Sequence, residues 1–181
     1  MKKFILSVFF ISLISPIFSL AIQLNFTNLW PTGIWADSVV LSIGGGGGVE
    51  YTLPLELENC DFGVQLKAEY LYVVPKQADA DSFSDISILP GLFATLPFKL
   101  ETVNLSLHPE LGYGVVLHNA KVDGHKKLYV DQMICLAMPL RLSFLALPQL
   151  ELDAGPVYTF AFEKKSVLIQ AGCRAGVVWR F

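Results

Sequence analysis

Apolar and polar residues alternate with a period of two from residue 37 to the last position. Such alternation marks strands whose two faces meet different surroundings. Residues 37–53 set Val39, Leu41, Ile43, Val49, Tyr51 and Leu53 against Ser42, Gly44, Gly46, Gly48, Glu50 and Thr52. Residues 62–74 set Phe62, Val64, Leu66, Ala68, Tyr70, Tyr72 and Val74 against Gln65, Lys67 and Glu69. In 85–98 the apolar face is Ile86, Ile88, Leu92, Ala94 and Leu96, and Leu89 and Phe93 interrupt the polar one. Residues 103–118 oppose Leu105, Leu107, Leu111, Tyr113, Val115 and Leu117 to Ser106, His108, Glu110, Gly112 and Gly114. Residues 128–144 oppose Val130, Ile134, Leu136, Met138, Leu140 and Leu142 to Tyr129, Asp131 and Arg141. The run 149–162 opposes Leu150, Leu152, Ala154, Tyr158, Phe160 and Phe162 to Gln149, Glu151, Asp153 and Thr159. The last run, 166–181, carries Val167, Ile169, Ala171, Cys173, Ala175, Val177, Trp179 and Phe181 against Gln170, Gly172, Arg174, Gly176 and Arg180. Seven strands are thereby predicted.

The first residues read differently. Lys2 and Lys3 precede an uncharged apolar stretch, residues 4–18, broken by Pro16 and followed by Ser19-Leu20-Ala21. That order predicts a signal peptide over 1–21, cleaved after Ala21, and a mature domain over 22–181. A retained anchor is the competing reading, since no charge falls between Lys3 and Asp37. Beyond Ala21 no uncharged apolar run reaches the roughly 18 residues of a spanning helix; residues 38–49 are uncharged but hold five consecutive glycines. Charged residues are only 16% of the chain and hydrophobic ones 53%, against about 25% charged in soluble domains. An apolar, exported chain with no helical span must pair its backbone in a closed barrel if it crosses a bilayer.

Short links near 54–61, 97–103 and 144–149 contain Pro, whereas 75–84 and 119–127 are longer and polar and 163–165 is a tight charged turn. Bacterial barrels have even strand numbers, short inner turns and longer outer loops. Parity therefore requires a strand before residue 37. Ile22, Leu24, Phe26 and Trp30, alternating with Gln23, Asn25 and Thr27, supply it. The predicted fold is all-β: a transmembrane antiparallel up-and-down β-barrel of eight strands. A lumen of that size is only just filled by side chains. The bulky apolar face cannot fit inside, so it should meet lipid, while the glycine-rich polar face fills the lumen. Trp30, Trp35, Tyr51, Tyr70, Tyr72, Tyr129, Tyr158, Trp179 and Phe181 suit interfacial girdles.

At this level the chain resembles the small outer-membrane barrels of diderm bacteria, of OmpA, OmpX and OmpW type. In that class a terminal Phe with alternating apolar residues behind it is read by the barrel-assembly machinery. Phe181, Trp179, Val177 and Ala175 match. The resemblance implies the outer membrane as location, with outer-membrane lipids and the assembly machinery as partners. No OmpA-like peptidoglycan-binding domain is expected after the barrel.

Ten charges point inward by parity: Glu50, Lys67, Glu69, Glu110, Asp131, Arg141, Glu151, Asp153, Arg174 and Arg180. Unpaired buried charges cost several kcal/mol, so these should pair, with Arg174 expected at the centre. Pairing would make a salt-bridged plug; a narrow polar or gated pathway is the other reading. The glycine run 44–48 lacks the Lys-Ser/Thr and helix of a phosphate loop and is expected to make room for inward Arg and Tyr side chains. His118, Asp123 and His125 form a rim trio open to a metal-binding reading, though a solvated loop accounts for them. The similar-sized lipid A deacylases use His with Ser and Glu, and no Ser lies two positions after His118. Cys60, Cys135 and Cys173 form neither a disulfide framework nor a zinc pattern. Asp79, Asp81 and Asp85 make one loop acidic; Lys121, His125, Lys126 and Lys127, with Lys164 and Lys165, make others basic. Without Lys2 and Lys3 the chain has 11 basic and 16 acidic residues, net −5, which argues against nucleic acid. No cofactor or metal is expected. The expected function is a non-enzymatic outer-membrane barrel with a largely closed lumen and a structural or surface-interaction role. The alternative is an OmpW-like narrow channel for small or apolar solutes, and the third reading is a lipid-modifying enzyme.

Overall fold

The computed structural model describes residues 19–55, 60–76, 83–99, 104–122, 125–163 and 167–181. Their strands are β1 (Ser19–Thr32), β2 (Val39–Thr52), β3 (Asp61–Pro75), β4 (Phe83–Lys99), β5 (Asn104–Leu107), β6 (Glu110–Val122), β7 (His125–Leu147), β8 (Leu150–Glu163) and β9 (Val167–Arg180). A short 3-10 turn, Gly33–Asp37, joins β1 to β2. Every pairing is antiparallel: each strand pairs with its sequence neighbours, except that β4 pairs with both β5 and β6 and β7 with both β5 and β6, and β1 also pairs with β9 from Ala21↔Arg180 to Thr32↔Ile169. That last ladder closes the sheet into a ring and removes its edges.

Strands β5 and β6 are one stave. Pro109 has no N–H to donate and interrupts the ladder, yet the register against β4 and β7 is the same on both sides, Leu96↔Leu107 and Phe93↔Glu110. Backbone bonds His108 N–H to Pro139 O and Ala94 N–H to Pro109 O, both 3.0 Å, hold the break in line. The barrel therefore has eight staves. The first of them, expected over 22–30 from a weak alternation and from strand parity, runs from Ser19 to Thr32 and is as long as its neighbours β2 and β9.

The exterior is apolar. Leu24, Phe26, Leu66, Ile88, Leu111, Tyr113 and Leu142 are all exposed. Phe62, Phe98, Phe144, Trp179 and Phe181 mark the end that holds the termini, and Trp30, Tyr70, Tyr72 and Tyr158 lie toward the other. The side chain of Trp35 lies outside the described residues. An outer face of this kind is stable only against lipid.

Two features depart from the simple alternation. Val39, expected on the outer face, is buried, and Val40 is exposed instead. A register irregularity between Val39 and Leu41 explains it: one extra residue reverses parity at that end of β2. The lumen face is also not uniformly polar, because Leu29, Leu89, Phe93, Val116, Val157 and Val178 are buried inside.

The glycine run serves close approach. A Cβ on Gly46 would lie 2.5 Å from Ala68 O and 2.8 Å from Glu69 Cγ, and one on Gly48 would lie 2.9 Å from Lys67 Cγ. The room is thus for β3 and for the stems of Glu69 and Lys67, not for Arg and Tyr as the sequence suggested. The tyrosines Tyr70 and Tyr72 point outward.

Candidate functional site

The lumen half nearer the termini is filled by one polar network. Glu110 of β6 is its hub. Its carboxylate pairs with Lys67 Nζ of β3 and accepts from Arg141 Nη2 of β7 at 3.3 Å. Arg174 Nη1 of β9 donates to both Glu110 oxygens, at 3.1 and 3.3 Å. Three cations therefore converge on Glu110, while Arg174 reaches two carboxylates, the second being Glu69 at 3.3 Å. Arg141 also meets Glu50 of β2 at 3.4 Å and Asp153 of β8 at 3.5 Å. Its Nη2 donates to Gln23 of β1 at 3.4 Å. Four carboxylates thus face three basic side chains.

A histidine completes the arrangement. His108 Nε2 lies 3.2 Å from Glu50 Oε1, and its Nδ1 lies 2.8 Å from Thr95 Oγ1 of β4. All eight staves therefore contribute a side chain to one connected cluster. His108 was legible as inward but not as a member. Glu50 and His108 sit on staves that are not neighbours, so only closure of the ring brings them together.

The other inward charges lie elsewhere. Glu151 and Arg180 pair at 3.0 Å at the termini end, with Arg180 45% exposed. Asp131 is separated from the network and lines a cavity at the opposite end. Asp85 and His118 pair there at 2.7 Å. In the expected rim trio of His118, Asp123 and His125, Asp123 lies outside the described residues, as do Asp79, Asp81, Lys164, Lys165 and the side chain of Lys121. Lys126 and Lys127 are exposed on β7.

Two chemical readings of the network can be tested against its geometry. Donor atoms of Glu50, His108 and Glu110 lie within 4.8 Å of one another, a spacing compatible with a metal ion. The Arg141 guanidinium already bridges Glu50 and Glu110, and a second cation there would meet it and Lys67. The Glu50–His108–Thr95 line has the acid–base–hydroxyl order of a nucleophilic triad. His108, however, is 2% exposed and stacks on Phe93 at 4.9 Å between centroids, so its ring is enclosed by protein.

Cavities beneath and above differ. Inside the network, between Gln65, Lys67, Glu69, Glu110 and Arg174, there is a space of about 30 Å³, the share of about one water. Toward the end remote from the termini the lumen widens to about 360 Å³.

A ring of eight antiparallel staves, polar within and apolar without, decides the fold. It is that of the small eight-stranded outer-membrane β-barrels. The chain is similar to Neisserial surface protein A, with 16% identity over 91% of this chain and 97% of that one and a TM-score of 0.54. It is similar to a major outer membrane protein from Thermus thermophilus, with 10% identity, 91% and 99% coverage and a TM-score of 0.55. Ail, the attachment invasion locus protein of Yersinia pestis, gives 13% identity, 91% and 97% coverage and a TM-score of 0.50. These likenesses are of fold. No family model and no curated protein matches the sequence of this barrel.

Proposed function

We propose that this protein is a plugged, non-enzymatic barrel of the outer membrane, with a structural or surface-interaction role. In this reading residues 1–21 direct export, the barrel-assembly machinery reads the segment ending in Val177, Trp179 and Phe181, and outer-membrane lipids cover the apolar exterior. The observation that supports a closed lumen is the Glu110-centred cluster, which crosses the bore and ties all eight staves. Its carboxylates and cations sit in mutual contact, and parting them to admit a solute would leave buried charges unpaired, a cost of several kcal/mol each. Support for a non-enzymatic role is the burial of His108, the residue best placed to act as a base, beneath the Phe93 ring.

Conductance in planar bilayers tests this. The wild-type barrel is expected to give no steady unitary current. A steady current would overturn the plugged reading in favour of a narrow channel for small solutes, for which the wide outer cavity would be the vestibule.

A further inference from the structure

The cavity at the end remote from the termini has a chemistry of its own. Its volume of about 360 Å³ equals the share of about a dozen waters and lies in the range of small-molecule sites. Leu71, Val73, Phe83 and Leu168 supply apolar wall. The floor is polar and shut, because Gln170 Nε2 donates to Ser42 Oγ at 3.1 Å and Gln170 also meets Thr159. Two carboxylates, Asp85 and Asp131, line the same space, with Tyr129 and His118, and no lysine or arginine is among its described lining residues. Asp85 is partly engaged by His118. Asp131 makes no ion pair with another described residue.

An occupant must match both halves of this lining. An apolar body is favoured by the aliphatic and aromatic wall. A positive head is favoured by the two carboxylates, with which it can pair. An anion would sit against two carboxylates, and a neutral chain would gain no charge complementarity from either, Asp131 being exposed and hydrated. We propose that this cup is a blind binding site for a small amphipathic cation, a protonated amine or quaternary ammonium carrying a short alkyl or aryl body. The site lies on the outer side of the charge network and binds whether or not that network conducts.

The test uses the purified full barrel in non-ionic detergent and isothermal titration calorimetry with three probes of one body and different heads: hexyltrimethylammonium, hexyl sulfate and hexanol. Hexyltrimethylammonium is expected to bind saturably at one site, about tenfold or more tighter than either other probe. Asp131→Asn is expected to weaken it about tenfold, the effect of one charge-assisted contact. Val73→Trp and Leu168→Trp, which fill the cup from different staves, are expected to abolish binding. Folding of each variant is checked by the heat-dependent shift in electrophoretic mobility, and the two staves give independent tests. Absence of saturable binding, equal affinity for all three probes, an unchanged affinity in Asp131→Asn, or binding that survives in a folded filled variant would each overturn the proposal. Bilayer conductance reads the plugged-barrel reading separately.

Discussion

Replacing Glu110 with Gln removes the charge on which three buried cations converge. The cost is set by what each cation keeps. Arg141 retains Glu50 at 3.4 Å and Asp153 at 3.5 Å. Arg174 retains Glu69 at 3.3 Å. Lys67 has no other ion pair among the described residues, and its side chain is 3% exposed. One stranded ammonium therefore dominates, and removing one partner of a buried pair costs about 3–5 kcal/mol. Glu110→Gln should destabilise the barrel by about that amount, not by three times as much. Lys67→Met removes the stranded charge while keeping its apolar stem. The double variant should recover most of the loss, with a coupling of about 2–3 kcal/mol between the two sites. Urea unfolding in lipid vesicles, followed by tryptophan emission, measures all four corners of the cycle. The reasoning fails if Glu110→Gln costs less than about 1 kcal/mol, or if the double variant is no more stable than Glu110→Gln alone.

Four further outcomes are expected. Truncating both Arg141 and Arg174 to Ala leaves Glu50, Glu69 and Glu110 in a wider bore, so a cation-selective current should appear in bilayers; silence from the folded double variant would show that other side chains close the lumen. Gly46→Val places a Cβ 2.5 Å from Ala68 O and should cost about 1–3 kcal/mol of stability through forced separation of β2 from β3; an unfolding midpoint equal to wild type would refute close approach as the role of this glycine. Deleting Phe181 should reduce the amount of folded barrel reaching the outer membrane without changing the stability of protein refolded in vitro, and equal yields in cells would remove the assembly-signal reading. Intact mass of protein extracted from membranes should correspond to an N-terminus at Ile22; a mass that includes residues 1–21 would favour the retained anchor.

Much of the barrel was legible because a period of two sorts the residues of each strand into two faces before any partner strand is known. Residues two apart along a strand share a face, so Leu66, Leu111 and Leu142 are sorted from their polar neighbours within their own strands, and the need to keep the polar face inside then restricts register to even shifts. The exception at Val39 has a local cause: one extra residue at 39–41 inverts parity, and nothing in Val39-Val40-Leu41 distinguishes which of three apolar residues is the irregular one. The residues of the network were legible one by one as inward charges. Their partners were not, because Glu50 and His108, or Glu69 and Arg174, belong to staves that meet only across the bore. Height along the axis separates residues that parity treats alike: Arg141, Asp153 and Arg174 fall in the network, whereas Asp131 falls in the cup and Glu151 and Arg180 at the termini end.

By itself, the sequence determined the period, the number of staves and the side that meets lipid, since these depend on side-chain order along each strand; Asp85, read from sequence as part of an acidic loop, lines the cavity instead. Tertiary structure alone decided that Glu110, not Arg174, gathers the cations, that His108 joins Glu50, and that a cup lined by Asp85 and Asp131 stays apart below its rim. Those outcomes rest on the stagger and closure of the ring, which bring distant strands to one height, and no local pattern of residues encodes that distance.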